Sequence, residues 1–302
     1  MGSTIYNTHA RSMRSASLGY KTVTVDSMNS VFSQKKLKVA HEQMIPKNIK
    51  RIIEARDSDV HPKTVTVQLY LDVTGSMLGI PVYLISEGLP HIMEKLEAAG
   101  VKDVALLIGA IGDHECDSYP IQLGQFESGD AELDMWLTRI YPEGGGGGNS
   151  GESYGLAWYN AAFHVETDQY SKRKEKGFVF TIGDEPTLLN YPSSAIKEIY
   201  GDNAAQVNNS YTAQELYELC SAKNHVFHIH VNHASSSRTN INQILGQNCL
   251  VTKNKEDIAD LIVNTIVSNL KLNEQVVTES NIDASQPTED HQTNDPDFKI
   301  TL

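Results

Sequence analysis

The chain has 302 residues, 40% hydrophobic and 21% charged, which supplies the core of one large domain with extensions; no stretch approaches the roughly 20 apolar residues of a membrane span. A net charge of −13 disfavours non-specific binding to nucleic acid. Three cysteines, Cys116, Cys220 and Cys249, are odd in number and lack metal-like spacing, which excludes a disulfide framework and fits a reducing compartment such as the cytoplasm.

The front of the chain is basic. Residues 1–63 carry 11 Lys and Arg against 5 Asp and Glu, residues 64–270 carry 12 against 26, and residues 271–302 carry 2 against 7. Residues 1–59 therefore read as a partly ordered basic extension, set either to dock on the acidic body of its own or a neighbouring chain or to remain a solvated arm. Its first twenty residues hold Arg11 and Arg14 with no apolar run behind them, which excludes the secretory-signal pattern and leaves a mitochondrial-type leader as the alternative.

From residue 60 to 272 strand-like and helix-like segments alternate, the pattern of a mainly parallel sheet covered by helices on both faces, a Rossmann-like α/β three-layer sandwich. In 64–72 Val65, Val67, Leu69 and Leu71 alternate with Thr66, Gln68 and Tyr70, and the strand stops at Asp72. Val82, Ile85, Leu89, Ile92 and Leu96 then recur at helical steps up to Gly100, with a kink or break expected at Pro90. VALLIGAIG (104–112) reads as a strand buried on both faces, and IQLGQF (121–126) as a shorter strand paired to it through the turn-forming DHECDSYP. A short helix over 132–140, a five-glycine loop at 144–148 and a second helix from Ser153 follow. FVFTIGD (178–184) is another buried strand ending in an acid. A helix over 212–223 has Thr212 and Glu215 as its capping box, HVFHIHV (225–231) is a strand, and Asn254 is expected to cap a last helix. Residues 273–302 are polar and acidic and read as a flexible tail.

The chemistry concentrates at Asp72-Val73-Thr74-Gly75-Ser76. An acid, a hydroxyl two residues on and another two further stand where a buried strand ends and a helix begins. Such carboxyl ends are where open α/β sheets bind ligands. Carboxylate and hydroxyl oxygens suit a hard cation such as Mg²⁺ or Mn²⁺. Asp184 ends a second buried strand, so parallel strands can bring it to Asp72 across a shared ion. The glycine loop offers further oxygens from Asn149, Ser150 and Ser153, of which Ser150 is favoured. Taken singly, Thr74 and Ser76 are equally readable as helix caps and Asp184 as a turn residue.

In this order the residues resemble the metal-ion-dependent adhesion site of von Willebrand factor A domains, with Asp72-x-Thr74-x-Ser76 and Met77 matching its DxTGSM form. GGGGGNSGESYGLAW stands where that family places a loop hydroxyl, and FTIGDEP where it places an aspartate after the fourth strand. The likeness covers roughly residues 60–270 and extends to bacterial or phage-like members and to the A domains attached to atypical alpha-kinases, although no kinase domain is present. It implies a binding module rather than an enzyme. Its metal, held by Asp72, Thr74, Ser76, Ser150 and Asp184, would keep one position for a carboxylate of a protein partner. An ATPase of the AAA+ class or further copies of this chain are the partners it suggests, with no nucleic acid and no membrane.

The same residues also resemble the phosphoaspartate motif of haloacid-dehalogenase-like hydrolases, with Asp72 as nucleophile. Thr74 stands where those phosphatases place an acid. His225, His228, His230 and His233 invite a zinc reading but lack a completing Cys or acid, so strand packing explains them better. Asp113, His114, Glu115 and Asp117 form an acidic turn, read as a solvated hairpin tip or as a wall of the metal edge. No Lys-Ser/Thr follows the glycines, so they are no P-loop.

Overall fold

The computed structural model describes residues 4–145, 149, 151–201, 206–231 and 238–283. Ten strands occur among them: β1 (Ile53–Ala55), β2 (Val65–Asp72), β3 (Val104–Ile111), β4 (Ile121–Leu123), β5 (Val165–Thr167), β6 (Gly177–Gly183), β7 (Asn190–Tyr191), β8 (Tyr211–Thr212), β9 (Asn224–Val231) and β10 (Cys249–Thr252). Six of them form the central sheet in the order β10-β9-β6-β2-β3-β4. All pairs are parallel except β3 with β4, which closes as the expected hairpin with Ile111 opposite Ile121. The chain starts the sheet at β2, builds outward through β3 and β4, then returns to build the other way through β6, β9 and β10. That reversal places a topological switch point between the carboxyl ends of β2 and β6, the ends that carry Asp72 and Asp184.

The helices are α1 (Thr8–Leu18), α2 (Ser33–Leu37), α3 (Gly79–Tyr83), α4 (Leu89–Ala98), α5 (Asp130–Arg139), α6 (Tyr154–Phe163), α7 (Asp168–Ser171), α8 (Ser193–Tyr200), α9 (Ala213–Ser221), α10 (Thr239–Leu245) and α11 (Ile258–Asp283). Alternation along β2 decides which layer each side chain joins. Val67, Leu69 and Leu71 pack with Ile85, Leu96, Leu133, Ile262 and Ile266, a core built with α4, α5 and α11. Tyr70 packs on the opposite face with Trp158, Leu216 and Ile241 of α6, α9 and α10. Both faces are covered, so the polar residues of β2 are buried too and must bond internally. Tyr70 Oη donates to Gln68 Oε1 at 2.8 Å and accepts from Asn160 Nδ2 at 2.9 Å.

Pro90 acts as expected. Leu84–Gly88 winds as a π-turn, and the Leu89 amide donates to Leu84 O, five residues back. Pro90 has no N–H to do the same for Ile85 O. Arg11 Nη2, from α1, donates to that carbonyl instead.

The basic extension docks on its own body. Arg11 and Arg14 of α1 reach Asp134 of α5 at 3.1 and 2.8 Å, and Met28, Phe32 and Met44 are buried in the core with β2 and α4. Near residue 59 no boundary is visible, because β1 pairs in parallel with β5. Sequence periodicity missed α1, α8 and the edge strand β10. The Thr212–Glu215 capping box is present. Asn254 does not cap with its side chain; its amide donates to Thr252 Oγ1 at 3.1 Å and its Nδ2 to Asp257 Oδ2 at 3.2 Å, bracing the turn before α11. Helix α11 continues to Asp283, past the boundary expected at residue 273; residues 284–302 lie outside the described residues. No helix among the described residues is long and apolar enough to cross a membrane.

The β1–β5 flank is clamped by Asp168, which takes bonds from Arg56 Nη1 and the Asp57 amide, both at 3.0 Å, and pairs with Lys172 at 2.7 Å. Burial opposes its ionisation, but the bonds from Lys172, Asp57 and Arg56 win and lower its pKa to about 2. A depressed carboxylate pKa contributes stability above the unfolded value near 4 and loses it as pH falls toward 2. Solvent around Arg56 and Lys172 screens the clamp, so about 1 kcal/mol is expected. Urea titrations of wild type and Asp168→Asn should differ by that amount at pH 7, and the gap should close between about pH 4 and pH 2. A gap constant down to pH 2 would show that the charge contributes nothing.

Candidate metal centre

Asp72 is fully buried at the end of β2. Its Oδ1 accepts from the Thr74 amide at 2.9 Å and from Thr74 Oγ1 at 2.6 Å, and its Oδ2 accepts from Tyr154 Oη at 3.1 Å. Ser76 stands beside Asp184 at the neighbouring strand end, and it lowers the Asp184 pKa against the larger upward effect of burial. The Thr74 hydroxyl proton is thus held by a carboxylate, which leaves its oxygen lone pairs for another partner. Gly183 lets the elements meet, since a Cβ there would lie 1.9 Å from Tyr154 Oη and 2.9 Å from Asp72 Oδ2.

The glycine loop closes over this turn from the other side. Gly144 N donates to Val73 O at 3.1 Å, and Gly75 N donates to Gly145 O at 2.9 Å. Gly144 has a left-handed φ of 68°, which favours a residue without Cβ. A cleft of about 220 Å³ opens between loop and turn, lined in part by Thr74, Ser76, Asn149, Glu152 and Glu185.

Of the loop oxygens expected from sequence, Ser150 lies outside the described residues. Ser153 is fully buried and turned away: its Oγ accepts from the His114 amide at 2.8 Å and bonds His114 Nδ1 at 2.8 Å. Asn149 lines the cleft and donates through Nδ2 to Glu115 Oε2 at 2.8 Å. The residue that sequence reasoning missed is Glu152. It is 5% exposed, lines the cleft, and its Oε2 has no hydrogen-bond partner. The family pattern places a hydroxyl in this loop, and Glu152 lies two residues beyond Ser150, the hydroxyl favoured from sequence.

The acidic turn is solvated only in part: Glu115 is exposed, but Asp113 is not. Asp113 is 1% exposed, its amide donates to Asp117 Oδ2 at 2.7 Å, and Ser153 N donates to Gly112 O at 3.1 Å. The turn therefore packs beside Glu152. His228 is buried, its Nδ1 bonded to Thr181 Oγ1 at 2.9 Å and its ring 4.7 Å from that of Tyr154, as strand packing predicts. His233 lies outside the described residues.

Burial raises the pKa of Asp72, and the Thr74 bonds offset this only in part; Asp184 raises it further. Burial also raises Glu152, with Asp72, Asp117 and Asp113 adding to the effect. Buried oxygens of Asp113, Glu152 and Asp184 have no hydrogen-bond partner. Mutually repelling carboxylates with idle oxygens are the arrangement that a cation relieves. Among the described residues no three His, Cys, Asp or Glu side chains converge as ligands, so the hydroxyls of Thr74 and Ser76 are needed to complete a set. Those oxygens, with Asp72 and Asp184 behind them, fit a hard divalent ion.

No family model and no curated protein matches this chain. Among solved structures it is similar to the pilus adhesin SpaC from Lactobacillus rhamnosus GG in its open conformation, with a TM-score of 0.48 and 11% identity over 71% of this chain and 30% of the adhesin. It is also similar to proximal thread matrix protein 1 from the mussel byssus, with a TM-score of 0.39 and 9% identity over 66% of this chain and 47% of that one. The chain thus spans less than half the length of either protein.

Proposed function

We propose that this chain is a von Willebrand factor A-type module that binds a protein partner through a divalent ion, Mg²⁺ or Mn²⁺, held at the β2–β6 switch point. The observation that carries the reading is the hydroxyl–carboxylate couple of Thr74 with Asp72, with Ser76 and Asp184 next to it, at one sheet edge beside an open cleft. The ion would supply a Lewis-acidic position facing that cleft, and an oxygen of the partner, best a carboxylate, would complete it. An AAA+ ATPase or another copy of this chain remains the suggested partner class.

Glu152 gives the hydrolase reading a buried carboxylic acid that Thr74 does not provide. Asp72 argues against it. A phosphoaspartate nucleophile needs a free oxygen in line with phosphorus, and Asp72 is fully buried with both oxygens bonded. One set of preparations separates the two. Immobilised wild-type protein should retain partners from its own cell extract in Mg²⁺ and release them in chelator, Thr74→Ala should retain none, and neither protein should hydrolyse p-nitrophenyl phosphate. Retention unchanged by chelator would end the metal-bridge reading. Hydrolysis by wild type that disappears in Asp72→Asn would establish the enzyme.

A further inference from the structure

The metal edge has two sides of opposite character. On one side the cleft toward the glycine loop presents Glu152 and Glu185. On the other side a second cleft of about 380 Å³ shares Ser76 with the first and runs past Asp184 to Lys253 and Lys255. Both lysines are exposed, and neither forms an ion pair among the described residues. Their backbone is held firmly: Thr252 Oγ1 donates to Asp257 Oδ2 at 2.8 Å and accepts from the Asn254 amide at 3.1 Å. Asp257 is thereby occupied within the turn and directed at Thr252 and Asn254 rather than at the lysines. Glu256 also lines this cleft and offsets part of the field. On a domain whose residues 64–270 carry 26 acids against 12 bases, an uncommitted lysine pair beside the metal edge is a local reversal of sign.

We infer that the second cleft seats an acidic segment of the protein partner, one carboxylate meeting the metal at Ser76 and a second, a few residues along, held by Lys253 and Lys255. The inference rests on the metal-bridge reading above and adds a direction to it. A carboxylate arriving over the glycine loop meets Glu185 at the cleft wall, where like charges repel. One arriving along the lysine wall is attracted before it reaches the ion, which favours both encounter and register. Once bound, a single-acid ligand is held by the ion, whereas a two-acid ligand is held by the ion and by the lysine pair as well.

Fluorescein-labelled Gly-Ser peptides carrying one Glu, or two Glu residues two to five positions apart, test this by anisotropy in Mg²⁺. The best two-Glu peptide should bind wild type about three- to tenfold more tightly than the one-Glu peptide, the size expected of two exposed ion pairs. In Lys253→Gln/Lys255→Gln that advantage should vanish while one-Glu binding stays within about twofold. The lysines are on the surface, so circular dichroism should show an intact fold. An advantage that survives in the lysine variant, or no advantage in wild type, overturns the inference and leaves the metal bridge standing. Binding of both peptides that is indifferent to chelator and to Thr74→Ala overturns the metal bridge itself, and the absence of any binding at millimolar peptide counts against both.

Discussion

Thr74→Ala should weaken Mg²⁺ or Mn²⁺ binding by about 100-fold, the upper end for lost ligands and their supports, while the protein stays folded. The substitution removes one hydroxyl and one methyl group. Asp72 keeps its bonds from the Thr74 amide and from Tyr154 Oη, so no buried carboxylate is orphaned and the stability cost should be about 1 kcal/mol. What disappears is the oxygen whose proton Asp72 holds at 2.6 Å. Asp72→Ala is a harsher companion, since it also leaves Tyr154 Oη without an acceptor in a fully buried setting. Calorimetry on wild type and both variants decides the matter, with thermal melts as the control for folding. Equal metal binding by all three proteins would remove the site from the β2–β6 edge, and with it the reason for a partner carboxylate.

That site was legible because its parts are local or follow from sheet topology. Asp72, Thr74 and Ser76 lie within five residues, and the two apolar runs ending in acids fixed which edge they share. The parallel sheet was legible for the same reason: β2, β3, β6 and β9 are buried on both faces and stand out as apolar or alternating runs. Glu152 was not legible, because its burial depends on the Pro186 carbonyl, which takes its amide at 2.8 Å, and on the acidic turn across the cleft. Nor was the lysine wall, since β10 is a four-residue edge strand with two of its side chains outward or half-outward and no clear period. The charge count changes accordingly. Two acids would balance a divalent ion, and Glu185 stands on the loop side, so the attraction inferred above for an anionic partner would come from the opposite wall.

Arg11→Met should destabilise the protein by about 3–5 kcal/mol, the cost of breaking a buried ion pair from one side. Arg11 is 2% exposed and Asp134 1% exposed. Burial raises the Asp134 pKa, and Arg11 and Arg14 oppose that rise. Arg14, partly exposed, would remain as the sole cation paired with Asp134 among the described residues. A second loss follows at Ile85, whose carbonyl Pro90 cannot serve and Arg11 does. One side chain thus joins α1, α5 and the π-turn, which is why the basic extension is part of the fold. Since whole-domain stability is typically 5–15 kcal/mol, the variant should lose a large share of it. Urea unfolding measures the loss, and a double-mutant cycle apportions it. Asp134→Leu in the Arg11→Met background should recover part of the stability by removing the stranded charge. Pro90→Ala restores an N–H that can serve Ile85 O, so Arg11→Met should cost about 1 kcal/mol less in that background. A loss below about 1 kcal/mol for Arg11→Met alone would mean that α1 only rests on the domain, and strict additivity with Pro90→Ala would mean that the Ile85 carbonyl finds another donor.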